Sequence, residues 1–135
     1  MKILNALIIG TAAAALLAAA DARAEWPEKP IQFIIPFGAG GGADIEGRLI
    51  AKAMSAILGQ PVVPINKPGG GGAITYTFVK NSKPDGYTVA WNSTSILTTT
   101  NIGNVPFEYT ALDHIGQVAQ QPVPFVVRKD ARWNT

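Results

Sequence analysis

The sequence predicts an α/β domain with a mostly parallel sheet flanked by helices. Short apolar runs rich in β-branched residues alternate with segments of helical periodicity, in the order strand, helix, strand, helix, strand. A glycine-rich turn follows each of the first two strands and leads into the next helix. A βαβαβ unit of this kind forms a parallel sheet, and its ligands bind where the carboxyl ends of the strands meet the helix N-termini.

The first strand and the first helix are predicted on either side of the first glycine-rich turn. The run from Ile31 to Pro36 is short, apolar and bounded by prolines, which favours a strand. Apolar residues then recur at helical spacing from Asp44 to Leu58, and Gly59 is the expected end of that helix. Its apolar face is predicted to consist of Ile45, Leu49, Ile50, Ala53, Met54 and Ile57.

The second half of the unit repeats this pattern. Residues Val62 to Ile65 are predicted as a strand, the second glycine-rich turn follows, and a helix is expected from about Ile74 to Lys80. A type I turn at 83–86 then precedes a third strand from Tyr87 to Trp91. Beyond it we expect an irregular stretch at 102–113, two short strands at 115–118 and 125–128, and the approach to another helix at 131–135.

Residues 1–24 are predicted to be a cleaved signal peptide. Lys2 supplies a positive charge, an apolar run rich in Ala and Leu follows, and Ala22-Arg23-Ala24 fits a cleavage site. Export to the periplasm is therefore expected, with residues 25–135 as one domain. An uncleaved membrane anchor is the alternative, because the apolar run is close to the roughly 20 residues that span a bilayer.

Composition excludes several classes of function. The chain has no cysteine, so it has no disulfides, no cysteine-based metal site and no thiol nucleophile. Its 11 Lys and Arg residues nearly balance its 9 Asp and Glu residues, and they form no cluster of the kind that binds nucleic acid. We therefore expect no nucleic-acid partner, no metal and no cofactor.

Three segments at the predicted carboxyl ends of the strands are candidates for ligand binding. They are the first loop at 36–44, the second loop at 66–73 and the polar run at 92–95. Glycines between a strand and a helix present backbone N–H groups and the positive end of the helix dipole at one place. The two loops therefore predict an anion site that needs no basic side chain.

Nucleotide binding and catalysis are less favoured interpretations. The first loop resembles a dinucleotide-binding turn, but no acidic residue follows at the expected distance, and Arg48 replaces the lysine of a P-loop. His114 is the only histidine, and no nucleophile-elbow motif surrounds Ser93. Asp44 lies near a helix N-terminus, where a capping role is the simplest interpretation.

Four segments together resemble a known family. In chain order they read WPEKPIQFIIPFGAGGGAD, LGQPVV, NKPGGGGAI and KPDGYTVAWNSTS. This ordered set is similar to the N-terminal part of the Bug family, the periplasmic solute-binding receptors of tripartite tricarboxylate transporters. The resemblance implies a periplasmic-binding-protein-like (type II) lobe, with a second lobe needed to close on the ligand. It also implies a non-enzymatic, monomeric receptor that works with the membrane components of such a transporter.

The resemblance further implies the ligand and the residues that contact it. The ligand would be a small carboxylate, such as a di- or tricarboxylate, an amino acid or an aromatic acid, held through backbone N–H groups and bridging waters. The residues carried over by position are Gly38, Ala39, Gly40, Gly41, Asp44, Gly70, Gly71, Gly72, Ala73, Ser93, Thr94 and Ser95. Two departures stand out, because residues 98–103 lack the usual Asn-Pro pair and Tyr, and Thr75 replaces a small residue.

Family members have a second lobe, and this sequence has no counterpart to it. We therefore expect a fragment or a truncated receptor that binds carboxylates weakly or not at all. The alternatives from other classes are an extracytoplasmic sensor or interaction module and, with less support, an exported hydrolase that uses Ser93 or Ser95.

Overall fold

The computed structural model describes residues 25–121 and 126–130. Two short 3₁₀ turns, Gly70–Gly72 and Tyr109–Ala111, accompany the regular elements. In chain order the strands and helices are β1 (Ile31–Ile35), α1 (Gly42–Leu58), β2 (Val62–Asn66), α2 (Ala73–Lys80), β3 (Thr88–Ala90) and α3 (Ser95–Asn101).

The three strands form one parallel sheet in the order β2-β1-β3. Ile31 pairs with Val62 on one side of β1, and Gln32 pairs with Thr88 on the other. The predicted fold class is confirmed, because a parallel sheet with flanking helices occupies the described part of the chain. Each of the three predicted strands is present. The observed bounds differ from the predicted ones by one residue at one end of β1 and β2 and at both ends of β3.

The central strand β1 forms the middle of the core. Ile31, Phe33, Ile34 and Ile35 are all buried, as expected for a parallel strand covered on both faces. Ala51 of α1 and Val62 of β2 complete the buried cluster around three of these side chains. Burial of a near-continuous apolar strand is the main stabilising contribution to a domain of this size, because the chain has no disulfide.

Helix α1 packs on the sheet through small side chains rather than through its large apolar ones. Gly47 and Ala51 face β1, and a Cβ atom added at Gly47 would lie 2.9 Å from Ile35 Cδ1. The predicted face is therefore wrong in part: Ile50 and Met54 pack against the core, whereas other members are exposed. Because α1 lies close to β1 at these small residues, part of the predicted face is turned toward solvent. The exposed members include Ile45, Leu49 and Ile57.

The C-terminal part of the described chain departs from prediction. The polar run at 92–95 continues into helix α3, which was not predicted. Residues 102–113 are irregular as predicted, apart from the second 3₁₀ turn. Residues 115–118 form no strand, and both Ile115 and Val118 are largely exposed. That prediction is wrong, because β-branched composition alone does not supply a partner strand. Residues 126–128 form no strand either.

Several predictions fall on residues that the structure does not describe. They are the signal peptide at 1–24, Phe125 in the last predicted strand, and the helix approach at 131–135. Within residues 25–121 and 126–130, no helix is both long enough and apolar enough to cross a membrane.

Candidate functional site

The three candidate segments leave the sheet at its carboxyl edge. The Lys67 N–H donates to Ile35 O and the Trp91 N–H donates to Ile34 O, both at 2.8 Å, so the chain after β2 and after β3 starts beside the end of β1. Thr99 of α3 donates its hydroxyl to Gly71 O at 2.9 Å, which joins the helix that follows the third segment to the second loop. The structure thus brings the predicted segments together at one edge.

The first loop leads into the N-terminus of α1 without a side-chain cap. Gly41 is the N-cap residue, and Gly42 and Ala43 are the first helical positions. The backbone N–H groups at the start of a helix have no acceptor within the helix, so they are available to an anion. A Cβ atom added at Gly38, Gly40 or Gly42 would meet no atom within 4 Å, which shows that this loop borders open space.

Asp44 holds the first loop instead of presenting a free carboxylate. Its side chain is almost fully buried, and Oδ2 accepts the Gly40 N–H at 2.8 Å. Oδ1 accepts from Arg48 Nε and from Asn66 Nδ2, both at 2.9 Å. These bonds, led by the one from Arg48, hold the pKa of the Asp44 carboxyl well below its usual range. The predicted capping role is therefore wrong, because Asp44 lies inside the first turn and binds the Gly40 N–H of the preceding loop rather than a free N–H group of the helix. Direct contact of Asp44 with a ligand stays a prediction.

The second loop requires glycine for its backbone conformation. Four consecutive residues, Gly69 to Gly72, have positive φ angles of 135°, 57°, 64° and 105°. Other residues rarely adopt such angles, so side chains are excluded from this stretch. At Gly72 an added Cβ would also lie 2.5 Å from the Tyr76 ring. Ala73 then begins α2, as the loop-to-helix prediction requires.

The polar run after β3 is linked to the second loop through a buried tyrosine. Tyr76 OH lies 2.5 Å from Ser95 Oγ, and Ser93 Oγ donates to Ser95 Oγ at 3.0 Å. Burial raises the pKa of the Tyr76 phenol above its usual value, so this group stays protonated at neutral pH. Ser93 and Thr94 are exposed, which leaves them accessible from the open edge.

The structure offers no catalytic pairing for these serines in the part of the chain that it describes. Ser93 bonds to Ser95 and, through its backbone N–H, to Asn92. His114 is exposed, and its ring lies 6.1 Å from the ring of Tyr109. Within residues 25–121 and 126–130, no three His, Asp or Glu side chains are grouped so that they could hold a metal ion.

Sequence reasoning did not find the residues that hold the loops in place. Arg48 follows Asp44 at the i,i+4 spacing of a helical ion pair, so this contact could have been predicted. Asn66, Tyr76 and Thr99 gave no comparable signal, because their contacts join residues that are distant in the sequence. Only the folded chain shows them as parts of one edge.

The site is an open surface rather than a closed pocket. Of two grooves among the described residues, one includes Ala73 of the second loop and continues along α2 past Ile74 and Phe78. The other lies away from the loops, near Lys29 and Tyr87. Glycine-rich loops at two strand ends of a parallel sheet, each leading into a helix N-terminus, are an arrangement in which α/β proteins bind anions. This geometry is typical of one half of a two-lobed binding protein, in which the ligand lies between the lobes.

The chain belongs to the tripartite tricarboxylate transporter receptor family, whose TctC model matches residues 47–135. It is 37% identical over 120 residues to a UPF0065 protein of Bordetella pertussis, an alignment that covers 87% of this chain and 37% of the relative. It is 35% identical over 123 residues to protein BugT of the same organism, covering 90% of this chain and 37% of BugT. The chain therefore spans little more than a third of these relatives.

Solved structures agree with this assignment and with the resemblance to the Bug family. A TctC solute-binding protein from Polaromonas is 41% identical, with a TM-score of 0.61 over 64% of this chain and 30% of that one. A protein of R. palustris solved with adipate is 35% identical, with a TM-score of 0.52 over 53% of this chain and 24% of that one. The fold of the described residues is thus that of part of a periplasmic binding protein.

Proposed function

We propose that this protein is an extracytoplasmic solute-binding receptor that captures a small carboxylate for a tripartite tricarboxylate transporter. The observation that carries the proposal is the pair of glycine loops that reach one sheet edge next to the N-termini of α1 and α2. The family assignment and the adipate in a solved relative support a carboxylate as the anion. We propose a binding role and no enzymatic activity.

The carboxylate would be held mainly by the backbone. N–H groups at Gly41, Gly42 and Ala43 form the start of α1, and Gly70 and Gly71 supply the corresponding groups of the second loop. Two loops with helix dipoles behind them favour a negative charge without a neutralising lysine or arginine. Thr94 and the exposed serine Ser93 would contribute hydroxyl contacts at the third side of the edge.

Residues 1–24 would direct export, and residues from 25 onward would form the N-terminal lobe. An open edge buries only part of a ligand, whereas small-molecule sites bury most of the ligand surface. Tight capture would therefore need the second lobe that the family resemblance implies. Delivery would be to the membrane components of the transporter, with the receptor acting as a monomer.

Calorimetry on the natural polypeptide, exported and processed, tests this proposal. Di- and tricarboxylates, acidic amino acids and aromatic acids would be titrated, with the matching amides as uncharged controls. We expect heat from at least one carboxylate and none from its amide. Absence of binding by every acid in the panel would overturn the proposal.

A matched pair of glycine variants locates the site. Gly71 has a φ of 64°, and Gly59 at the end of α1 has a φ of 67°, so alanine strains the backbone equally at both. We expect Gly71→Ala to weaken carboxylate binding roughly tenfold or more, because backbone strain inside the loop would displace its N–H groups from the ligand, and a lost bond to a charged group has about this effect. Gly59→Ala should leave the affinity unchanged. Equal effects of the two variants would exclude the second loop from the site.

A further inference from the structure

A cluster of three polar side chains joins the first glycine loop to the strand that precedes the second. It consists of Asp44 and Arg48 on α1 and Asn66 at the end of β2, and we call it the loop clamp. Arg48 Nε donates to Asp44 at 2.9 Å, and Arg48 Nη2 donates to Asn66 Oδ1 at 2.8 Å. The contacts of Asn66 with Arg48 and with Asp44 join residues 18 and 22 positions apart in the sequence, so the clamp exists only in the folded chain.

Asn66 links the first loop to the sheet, because its side chain contacts the loop and its backbone is part of β2. Its Nδ2 group donates to Phe37 O at 3.0 Å and to Asp44 Oδ1 at 2.9 Å. Its Oδ1 atom accepts a hydrogen bond from Arg48, so both the NH2 group and the oxygen of the side-chain amide are hydrogen-bonded. Asn66 pairs with Ile35 in the sheet, which fixes the position from which it reaches the loop.

Asp44 connects Asn66 to the backbone of the first glycine loop. While Oδ1 is held by Asn66 and Arg48, Oδ2 accepts the N–H of Gly40. Gly40 has a φ of 81° and no neighbours at its Cβ position, so packing contributes little to its orientation. The hydrogen bond to Asp44 is therefore the main restraint on this part of the loop that the structure shows.

We propose that Asn66 is a positioning residue for the anion site, setting the first glycine loop against the second through Asp44 and Arg48. Ligand affinity depends on how far the binding groups are already in place before the ligand arrives. A loop freed from Asn66 would have to be ordered by the ligand, which lowers the affinity without removing any ligand contact. This inference rests on the proposed function and concerns the same site.

The test compares Asn66→Ala with Asn81→Ala in the natural polypeptide. Asn81 is the C-cap of α2, is exposed, and has no part in the clamp. The first readout is the hydrogen-exchange rate of the Gly40 amide, measured by NMR without ligand. The second is the dissociation constant of the carboxylate found by calorimetry. The Trp91 amide, which bonds to Ile34 in the sheet, reports any general loosening of the fold.

We expect Asn66→Ala to raise the Gly40 exchange rate and the dissociation constant roughly tenfold each, since a bond to a charged group is lost. The Trp91 amide should be unchanged, and Asn81→Ala should change none of these quantities. If Asn66→Ala raised the exchange rates of the Gly40 and Trp91 amides by the same factor, Asn66 would only stabilise the fold, and the inference would be overturned. Unchanged Gly40 exchange would overturn it as well.

Two outcomes separate this inference from the proposed function. If the natural protein binds no carboxylate, the proposed function fails, and the Gly40 exchange rates still decide whether Asn66 positions the loop. If Asn66→Ala does not fold, Arg48→Gln replaces it, because the Arg48 side chain is 47% exposed and its loss leaves no buried cavity. Faster exchange confined to Gly40 in that variant supports the clamp, and unchanged exchange refutes it.

Discussion

Replacing Gly72 in the second loop by alanine should destabilise the domain strongly. The φ of Gly72 is 105°, outside the range that side chains tolerate, and the added Cβ would lie 2.5 and 2.9 Å from two ring atoms of Tyr76. Tyr76 is fully buried and bonded to Ser95, so its ring has little room to shift. Backbone strain and overpacking therefore act together at this position.

The magnitude follows from these two contributions. Strain in a sparsely populated backbone region costs about 1–3 kcal/mol, and overpacking of a filled interior costs about 1–3 kcal/mol. Gly72→Ala should thus lower the free energy of unfolding by about 2–6 kcal/mol. Domains have a total stability of about 5–15 kcal/mol, so the variant would lie near the limit of folding.

Urea unfolding followed by tryptophan fluorescence measures this effect against two controls. Gly59 also has a positive φ, of 67°, but an added Cβ would have no neighbour within 4 Å, so Gly59→Ala should lose only a strain contribution. Gly42→Ala has neither feature and begins α1, so it should stay within about 0.5 kcal/mol of the natural protein. If Gly72→Ala were no more destabilising than Gly59→Ala, the packing of Tyr76 against the loop would be refuted.

Two further substitutions test other contacts of the sheet edge. Gly47→Ala should lower the free energy of unfolding in urea by about 1–3 kcal/mol, because the new methyl group would press on Ile35. An unchanged free energy of unfolding would mean that α1 can shift outward and would contradict this prediction. Asp44→Asn should destabilise the protein at neutral pH. Since the folded-state pKa of Asp44 is depressed, its contribution is present above the unfolded value of 3.8 and fades as the pH falls below that value. The stability difference between the two proteins should be the same at pH 7 and 5 and smaller at pH 3, and a difference that stays constant down to pH 3 would contradict the role of the charge.

The sequence was sufficient to predict the sheet and the place of the loops. Hydrophobic runs with proline and glycine at their ends mark β1, β2 and α1, because these signals are local. The orientation of α1 was not predictable in the same way. Its large apolar residues suggested one face, whereas Gly47 and Ala51 determine the contact by allowing the helix close to β1.

Helix α3 and the loop-holding residues were missed for a related reason. The segment from Ser95 to Asn101 contains five Ser, Thr and Asn residues, which locally favour turns and caps as much as helix. Its helical state is accompanied by tertiary contacts, since Ile96 and Thr99 are buried against the rest of the domain. Residues 115–118 show the opposite case, in which a strand-like composition finds no partner in the described fold.

Two threonines at positions that depart from the family pattern favour a negatively charged ligand at the site. Thr75, which replaces a small residue of the family pattern, is fully buried and donates its hydroxyl to Lys67 O at 2.8 Å. Thr99, in the stretch that lacks the usual Asn-Pro pair, donates to Gly71 O at 2.9 Å. Carbonyl oxygens repel a carboxylate, whereas N–H groups attract it. By occupying carbonyl oxygens of the second loop from inside the protein, both threonines favour an anion at the open edge.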